Sequence, residues 1–480
     1  MDKLENLRNE IDKIDEELME LLNKRLAITK EVGLYKKQNL KIVNDKNREN
    51  NILEKADKYL YSDEIKKIYK YMFELNKFYQ GFRYGLIAKD ARYSLSPLIY
   101  QYMGMDNYHV IGTDDFDKTI SKLNYDGINI TNPFKVKALD YSKSLDDSVI
   151  KTNTVNMIYN GRGYNTDYLA LQEIFSRFDF KDQLVIVIGN GATSRSVKMA
   201  LNGNVIFLVR EVRGKNEYLI SEYEKFIDAH YIINTTPFGT YPNISFNPLF
   251  SLERFKNLKL VFDVVYNPIN TPLIMEAKKY NIKGVNGLEM LFTQAAINYK
   301  IWFNQEVSKQ ELLTKIKKHL YNIVLIGMSF SGKTTLGKKL SESLNKQFVD
   351  IDIELKNQNK DIDTVLKTND ITVFRKYEKE ETILHSKKFN QVISTGGGVI
   401  LSVEAMNHLM LNGIIVYLKT SVDTLKTRMD NSRPLLKNKD ALEKMYYERI
   451  DKYEKYSMIT IDENMKYDEI LEIINEAISH

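Results

Sequence analysis

The sequence predicts a multidomain protein, with an all-α helical N-terminal domain followed by two α/β domains. Residues 1–80 contain no proline and a single glycine, Gly33, and their apolar residues recur at helical spacing. Residues 82–320 alternate short apolar runs with amphipathic stretches, which is typical of α/β proteins, and residues 321–480 repeat this pattern. We therefore place the domain boundaries at residues 80–82 and 319–322.

Length and composition exclude several classes of protein. At roughly 150 residues per domain, a chain of 480 residues is expected to form about three domains. The net charge of +5, from 69 basic and 64 acidic residues, argues against a dedicated nucleic-acid binder. Because there is no cysteine, disulfides, thiolate zinc sites and cysteine nucleophiles are excluded. The charged N-terminus does not resemble a signal peptide, and no apolar run approaches the ~18 residues of a membrane span. We expect a cytoplasmic protein with neither nucleic-acid nor membrane partners.

The N-terminal segment is predicted to form one long helix and two shorter ones, around residues 46–59 and 62–79. An apolar stripe with heptad spacing follows one face of the long helix. Its members are Leu4, Leu7, Ile11, Ile14, Leu18, Leu21, Ile28, Val32 and Tyr35. Three such helices bury little core by themselves, so we expect this segment to form a homodimer with a second copy of the chain.

The third segment opens with a phosphate-binding motif. The run from Gly327 to Thr334, GMSFSGKT, matches G-x-x-x-x-G-K-[ST] and follows the apolar stretch of residues 322–326. The N–H groups of such a loop hold phosphates, Lys333 is expected to reach the β- and γ-phosphates, and Thr334 is expected to bind Mg²⁺. We therefore predict an ATP site that includes Gly327, Gly332, Lys333, Thr334 and Thr335.

Five further features narrow the acceptor of the phosphoryl group. They are Asp350-Ile-Asp352, FRKYE at residues 374–378, the glycines Gly396, Gly397 and Gly398, RPLL at residues 433–436, and Arg449 with Tyr453. With these motifs the segment resembles shikimate kinase over nearly its whole length. The resemblance implies that Asp350 belongs to the Mg²⁺ shell and that Asp352 contacts the acceptor hydroxyl. It also implies that Arg375 and Arg449 hold the acceptor carboxylate, that the glycines allow close approach of its ring, and that Arg433 covers the phosphates.

The middle segment contains a dinucleotide signal. Gly189 and Gly191 lie between a predicted strand and a predicted helix, and the next strand ends in Arg210. An arginine at that place favours a 2′-phosphate, whereas an acidic residue would favour the ribose hydroxyls of NAD. We therefore predict NADP(H) as the cofactor. The adjacent Glu211 would repel a 2′-phosphate if it pointed inward, and Arg213 and Lys215 could offset its charge.

An ordered set of motifs gives this segment a resemblance to a known family. SLSP (94–97), NITNPFK (129–135), NTVN (153–156), YNTD (164–167), NTTPFG, YNPINTP and GLEMLFTQAA together resemble shikimate dehydrogenase. The resemblance implies a substrate domain at 82–183 and 285–318 around a dinucleotide-binding domain at 184–284. Its implied catalytic pair is Lys135 and Asp167. Among the implied substrate residues, Ser94 and Ser96 would bind the substrate carboxylate, and Tyr266 would form a wall of the site. The residues implied around the substrate hydroxyls are Thr131, Asn156 and Gln294. The implied cofactor residues are Gly189, Asn190, Gly191, Ala192, Arg210, Arg213 and Gly287.

One charged residue, Arg25, interrupts the apolar stripe of the first helix. Such a residue either fixes helix register or binds an anion inside a helical bundle, and in both cases we expect it to be largely buried. The surrounding sequence resembles the all-helical chorismate mutases over residues 4–80. The implied chorismate site comprises Arg8 from the second copy, Arg25, Lys36, Asp45, Arg48, Glu49, Asn76 and Gln80. Within it, Lys36 and Gln80 would face the breaking ether oxygen, and Asn76 stands where a serine is common.

These resemblances predict one chain with chorismate mutase, shikimate dehydrogenase and shikimate kinase activities. Its small-molecule substrates would be chorismate, 3-dehydroshikimate and shikimate, with NADP(H), ATP and Mg²⁺ as cofactors. One alternative is a bifunctional enzyme whose helical segment serves as a ligand-sensing or dimerising module. A second alternative changes the dehydrogenase substrate to quinate or another hydroxy acid.

Overall fold

The computed structural model describes residues 3–38, 46–79, 84–92, 94–105, 108–123, 125–242, 244–357, 371–430 and 438–479. The chain divides into two compact units. The first comprises residues 1–181, 190–203 and 290–309, and the second comprises residues 182–189, 204–289 and 310–480. The predicted fold class, a helical segment followed by two α/β segments, is confirmed. None of the helices in the described ranges combines the length and the apolarity needed to cross a membrane.

The first unit begins with α1 (Lys3–Gln38), α2 (Lys46–Lys55) and α3 (Ser62–Tyr79), as the sequence predicts. Helix α1 packs against α3, and the buried side chains at their contact include Thr29, Phe73 and Asn76. The apolar stripe of α1 lies on its solvent side in the single chain. Its nine members, from Leu4 to Tyr35, are between 36% and 62% exposed.

A mixed sheet follows in the first unit. Its strands are β1 (Tyr84–Ala88), β2 (Tyr108–Gly112), β3 (Gly127–Ile130), β4 (Ser144–Leu145), β5 (Met157–Tyr159) and β6 (Arg162–Tyr164). They lie in the order β2-β1-β3-β5-β6-β4, and β1 runs parallel to both of its neighbours. The associated helices are α4 (Ser96–Tyr102), α5 (Phe116–Lys122), α6 (Asp147–Thr152), α7 (Thr166–Phe175), α8 (Ala192–Ala200) and α10 (Leu288–Phe303).

The second unit contains two parallel sheets. The strands of the first are β7 (Leu184–Ile188), β8 (Asn204–Val209), β9 (Glu217–Leu219), β10 (Tyr231–Asn234), β11 (Leu260–Asp263) and β12 (Lys283–Val285), in the order β12-β11-β10-β7-β8-β9. Helix α9 (Pro272–Lys279) follows β11 and packs on β11 and β12. Apolar strand residues such as Ile186, Leu208 and Val261 form the core around this sheet.

The last sheet follows α11 (Lys309–Leu320). Its strands are β13 (Asn322–Ile326), β14 (Gln347–Asp350), β15 (Gln391–Ser394), β16 (Gly413–Lys419) and β17 (Ile459–Asp462), in the order β14-β15-β13-β16-β17. The helices are α12 (Lys333–Leu344), α13 (Ile351–Asn357), α14 (Ile371–Ser386), α15 (Val403–Asn412), α16 (Val422–Arg428), α17 (Lys439–Tyr456) and α18 (Tyr467–Ser479). The central strand β13 is fully buried, which places the loop that follows it at the middle of the sheet edge.

Candidate active sites

The loop after β13 has the geometry of a phosphate-binding loop. Gly327 and Gly332 have φ angles of +148° and +93°, a region that favours glycine, and Gly332 caps the N-terminus of α12. The buried Lys333 donates from Nζ to the carbonyl oxygens of Gly327 (2.9 Å) and Met328 (2.8 Å). A Cβ on Gly332 would meet no atom within 4 Å, so this side of the loop is open. Open N–H groups at a helix N-terminus beside a lysine suit an anion such as a phosphate.

Two oxygen groups meet at the start of α12. The Thr334 hydroxyl donates to Asp350 Oδ2 at 2.8 Å, and Asp350 is the last residue of strand β14. Asp350 Oδ1 accepts the backbone N–H of Asp352 at 3.1 Å. A hydroxyl and a carboxylate beside a phosphate-binding loop are suitable ligands for Mg²⁺. Thr335, which was also predicted to bind ATP, is exposed on the next position of α12.

The acidic and basic side chains predicted for the acceptor converge on the glycine loop after β15. A Cβ on Gly396 would lie 2.1 Å from Glu378 Oε1 and 3.2 Å from Asp352 Oδ1, and one on Gly398 would lie 1.9 Å from Arg375 Nη1. The glycines are therefore required for these three side chains to approach the loop. Arg375 also forms an ion pair with the buried Glu378. Burial raises the pKa of Glu378, and the guanidinium of Arg375 opposes that shift.

Helix α17 supplies the other arginine of this pocket. Arg449 Nη1 and the Tyr453 hydroxyl both donate to the carbonyl oxygen of Gly397, at 2.9 and 2.5 Å. Burial lowers the pKa of Arg449, and the nearby positive charge of Arg375 lowers it further. Two guanidinium groups that repel each other in one pocket would both be stabilised by an anionic ligand. Arg433 lies outside the described residues.

In the first unit, the predicted catalytic pair is formed. Lys135 Nζ lies 2.6 Å from Asp167 Oδ2, and both side chains are nearly nine-tenths buried. Lys135 lies in the turn after β3, and Asp167 lies in the first turn of α7, which Asn165 caps. A lysine held this way by a carboxylate has a fixed position and a nearby counter-charge, which a proton donor to a substrate oxygen requires.

Several predicted substrate residues lie beyond the carboxyl ends of adjacent parallel strands. Ser94 and Ser96 follow β1, and the N–H of Ser96 is 3.3 Å from Ser94 Oγ. Thr131 follows β3, and its N–H donates to the Ile87 carbonyl oxygen on β1. In open α/β sheets, ligands bind at the crevice beyond these strand ends.

A buried amide network links two further predicted residues. Asn156 bonds through both side-chain atoms to Thr166, whose hydroxyl donates to Asn298 Oδ1 at 2.7 Å. Asn298 Nδ2 in turn donates to Gln294 Oε1 (3.1 Å) and to the Tyr100 hydroxyl oxygen (2.8 Å). No sequence pattern assigns a role to Tyr100, Thr166 or Asn298. Only the spacing of Asn298, four residues after Gln294 on α10, could have pointed to it.

The predicted dinucleotide loop follows β7. Gly189 has a φ angle of +100°, and a Cβ there would lie 2.8 Å from Thr236 Cγ2. Asn190 is exposed, and Gly191 is the N-cap of α8, which starts at Ala192; a Cβ on Gly191 would meet nothing within 4 Å. This arrangement leaves room for a pyrophosphate at a helix N-terminus.

The other predicted cofactor residues follow β8 and β12. A Cβ on Gly287, just after β12, would lie 2.0 Å from the Val264 carbonyl oxygen, so this position requires glycine. Arg210 is exposed at the end of β8. Arg213 Nη2 donates to Glu211 Oε2 at 2.7 Å, and this ion pair raises the pKa of Arg213. Arg213 therefore offsets the charge of Glu211, and the side chain of Arg210 is exposed.

The helical segment brings together part of its predicted site. Arg25 Nη1 donates to Asn76 Oδ1 at 2.7 Å, and the Thr29 hydroxyl lies 3.2 Å from the same oxygen. The expectation that Arg25 is largely buried is wrong for the single chain: Arg25 is half-buried, because the apolar stripe on either side of it faces solvent. Lys36 and Glu49 are half-buried, and Arg8 and Arg48 are exposed. Asp45 and Gln80 lie outside the described residues.

These sites define a class of protein. A largely buried lysine–aspartate pair with a dinucleotide-type glycine loop is typical of an oxidoreductase, and the loop after β13 is typical of a phosphotransferase. The chain is thus a multidomain metabolic enzyme.

Comparisons with known proteins identify the segments. Family models match in three places: chorismate mutase type II at residues 7–81, the shikimate dehydrogenase substrate binding domain at 86–158, and shikimate kinase at 330–479. The NADP(+) shikimate dehydrogenase of Methanococcus vannielii is 32% identical over 260 residues, which cover 45% of this chain and 90% of that protein. That of Methanocaldococcus jannaschii is 32% identical over 275 residues, covering 49% and 97%.

A solved structure is also similar. The chorismate mutase/shikimate 5-dehydrogenase fusion protein from Clostridium acetobutylicum is 25% identical, with a TM-score of 0.44, and the match covers 48% of this chain and 95% of that one. The relatives from Methanococcus vannielii and Methanocaldococcus jannaschii establish that the chain belongs to the shikimate dehydrogenase family. Chorismate mutase and shikimate kinase domains flank this part, so the protein is a trifunctional shikimate-pathway enzyme. The same findings support NADP(H), ATP and Mg²⁺ as its cofactors.

Proposed function

We propose that the chain converts chorismate to prephenate, reduces 3-dehydroshikimate to shikimate, and phosphorylates shikimate to shikimate 3-phosphate. The observation that carries the proposal is the 2.6 Å pair of Lys135 and Asp167, which the sequence predicts and which lies in the segment similar to NADP(+) shikimate dehydrogenases. The first activity acts on a later intermediate of the pathway. Of the other two, the dehydrogenase makes the substrate of the kinase.

In the dehydrogenase, NADPH supplies the hydride when it is bound. Lys135 donates a proton to the oxygen of the reduced carbonyl, and Asp167 holds the ammonium group in place. Ser94 and Ser96 bind the substrate carboxylate, Tyr266 forms a wall of the site, and the network of Asn156 and Gln294 presents amides to the hydroxyls. The exposed Arg210 binds the 2′-phosphate, which supports a preference for NADPH over NADH.

In the kinase, ATP with Mg²⁺ supplies the phosphoryl group. Lys333 would bind the phosphate oxygens, and Thr334 and Asp350 would supply oxygen ligands to Mg²⁺. Asp352 orients the attacking hydroxyl, and Arg375 and Arg449 hold the carboxylate of shikimate. The glycine loop at residues 396–398 lets the ring lie close to the backbone.

In the mutase, two copies of the chain form each site. The exposed stripe of α1 is the surface that a second copy would cover, since nine apolar side chains on one face are an unusually large apolar patch for a monomer. Arg8 of one copy then joins Arg25, Lys36 and Arg48 of the other around the two carboxylates of chorismate. The rearrangement needs no cofactor, only a held conformer and positive charge at the ether oxygen.

A second function of the helical segment is favoured by one observation. Asn76, where a serine is common in the mutases, already binds the guanidinium of Arg25, so the segment could serve as a ligand-sensing or dimerising module.

Separate assays of chorismate, 3-dehydroshikimate, quinate and shikimate with the purified full chain test these proposals. We expect turnover of all except quinate. If the chain is a dimer but does not turn over chorismate, the helical segment is a ligand-sensing or dimerising module. If quinate is preferred to 3-dehydroshikimate, the proposed substrate of the dehydrogenase is wrong. Asp352→Asn should abolish phosphorylation and spare the dehydrogenase; an unchanged kcat with shikimate would reject the role of Asp352.

A further inference from the structure

Within the second unit, the loop that carries Tyr266 is bonded to a helix of the kinase segment. The N–H of Asn270 donates to the Leu411 carbonyl oxygen at 2.9 Å, and its side-chain Nδ2 donates to the Met410 carbonyl oxygen at 3.1 Å. The N–H of Ile269 donates to Asn412 Oδ1 at 3.0 Å. The loop thus makes three hydrogen bonds to the last three residues of α15.

These bonds satisfy groups that would otherwise lack partners. The last four carbonyl groups of an α-helix have no intrahelical donor, and α15 ends at Asn412. Leu411 and Asn412 are fully buried, and Ile269 and Asn270 are at least 94% buried, so water does not replace the contact. A buried polar group left unpaired is destabilising, which makes the contact a specific one.

The opposite side of the same loop is fixed by the dehydrogenase segment. Asn286 Nδ2 donates to the Ile269 carbonyl oxygen at 2.7 Å, and the Thr240 hydroxyl donates to the Asn267 carbonyl oxygen at 3.0 Å. Thr271, which ends the loop, donates to the buried Asp263 at 2.6 Å. The loop is therefore held between its own domain and α15, and Tyr266 lies at its start.

A second contact joins the dehydrogenase segment to helix α15. Phe246 packs edge-on against His408, one helical turn before the end of α15, with ring centroids 5.1 Å apart. The kinase helix thus touches the dehydrogenase segment through an aromatic pair as well as through its carboxyl end.

We propose that Asn412 is a positioning residue for the dehydrogenase: the end of α15 holds the Tyr266 loop in the conformation that binds substrate. The inference rests on the proposed role of Tyr266 as a wall of the substrate site. It implies that the kinase segment is a structural part of the dehydrogenase.

The test replaces Asn412 with leucine in the full-length chain, which removes the acceptor for Ile269 at similar volume. We expect the KM for 3-dehydroshikimate to rise about 10-fold, the effect of one lost buried hydrogen bond, with kcat within about twofold. Kinase turnover of the same preparation should stay normal. The matched control is Asn475→Leu, since Asn475 also bonds a helix carbonyl oxygen, that of Leu471, but on α18.

A second variant keeps the proposal testable if Asn412→Leu impairs folding of the kinase. Asn270→Ala removes the bond to Met410 from the dehydrogenase side, and it should raise the same KM while kinase turnover is unchanged. An unchanged KM in this variant, or a KM raised equally by Asn475→Leu, overturns the proposal. Wild-type chain without dehydrogenase turnover would instead reject the proposed function, so the two failures are distinct.

Discussion

Lys135 and Asp167 lie 32 positions apart in sequence and 2.6 Å apart in space. Their separation in sequence would suggest two unrelated surface charges. The fold brings them together because Lys135 follows strand β3 and Asp167 begins helix α7, and burial then makes the ion pair persistent.

Lys135→Ala should lower kcat of the dehydrogenase by about 10²-fold or more, since a general acid contributes at least that much. The measurement is steady-state oxidation of NADPH with 3-dehydroshikimate. Lys137→Ala is the control, because Lys137 lies two residues on and pairs with Asp117 at the surface. An effect confined to KM would show that Lys135 only binds substrate.

Arg25→Leu separates catalysis from helix register. If Arg25 clamps a chorismate carboxylate, the variant dimer should remain folded and lose mutase activity by about 10²-fold or more, the value of a charge-assisted bond of about 3 kcal/mol. Mutase turnover and thermal midpoint should be measured together on the full-length chain. A stable variant with near-normal turnover would leave only the register role.

At the scale of elements, strongly apolar strands were predictable and short ones were not. Strands β7, β8, β10 and β11 are continuous apolar runs because parallel strands are buried on both faces. Strands of two or three residues, such as β4 and β6, have too few positions for a pattern, and β2 is partly exposed. Residues inside the quoted motifs can be recognised from their order in the chain. Asn298 lies outside those motifs, and it acts through partners that only the fold brings near.

The thermal stability of the protein should depend on pH through His408, which lies on helix α15. Burial lowers the pKa of this half-buried imidazole, helped by Lys387 and opposed by Glu404. The unfolded histidine, with a pKa of about 6.5, takes up a proton first as pH falls, so stability should be lost below about pH 6.5. Thermal midpoints at pH 7.5 and 5.5 should therefore differ less for His408→Gln than for wild type.

The exposed His109 on β2 provides the comparison. His109→Gln should keep the wild-type difference between the two pH values. Equal differences for wild type and His408→Gln would contradict the assignment of this effect to α15.

At the scale of the whole molecule, the stripe of α1 should control assembly and one activity. Ile14→Lys places a charge at the middle of the stripe, where the side chain is 62% exposed in the single chain. We expect the variant to be monomeric by sedimentation and to lose mutase activity, while reductase and kinase turnover persist. Leu60→Lys is the control, since Leu60 is exposed but lies off the stripe. A dimeric Ile14→Lys protein would place the interface elsewhere.

Arg8, which directly follows Leu7 of that stripe, has a consequence for how the enzyme's output scales with its abundance. If Arg8 must cross to a second copy, mutase specific activity follows the fraction of paired chains, whereas reduction and phosphorylation do not. A dilution series would then change the proportions of the three products, with prephenate formation falling first. Copy number per cell would set the balance between making shikimate 3-phosphate and consuming chorismate, without any effector molecule.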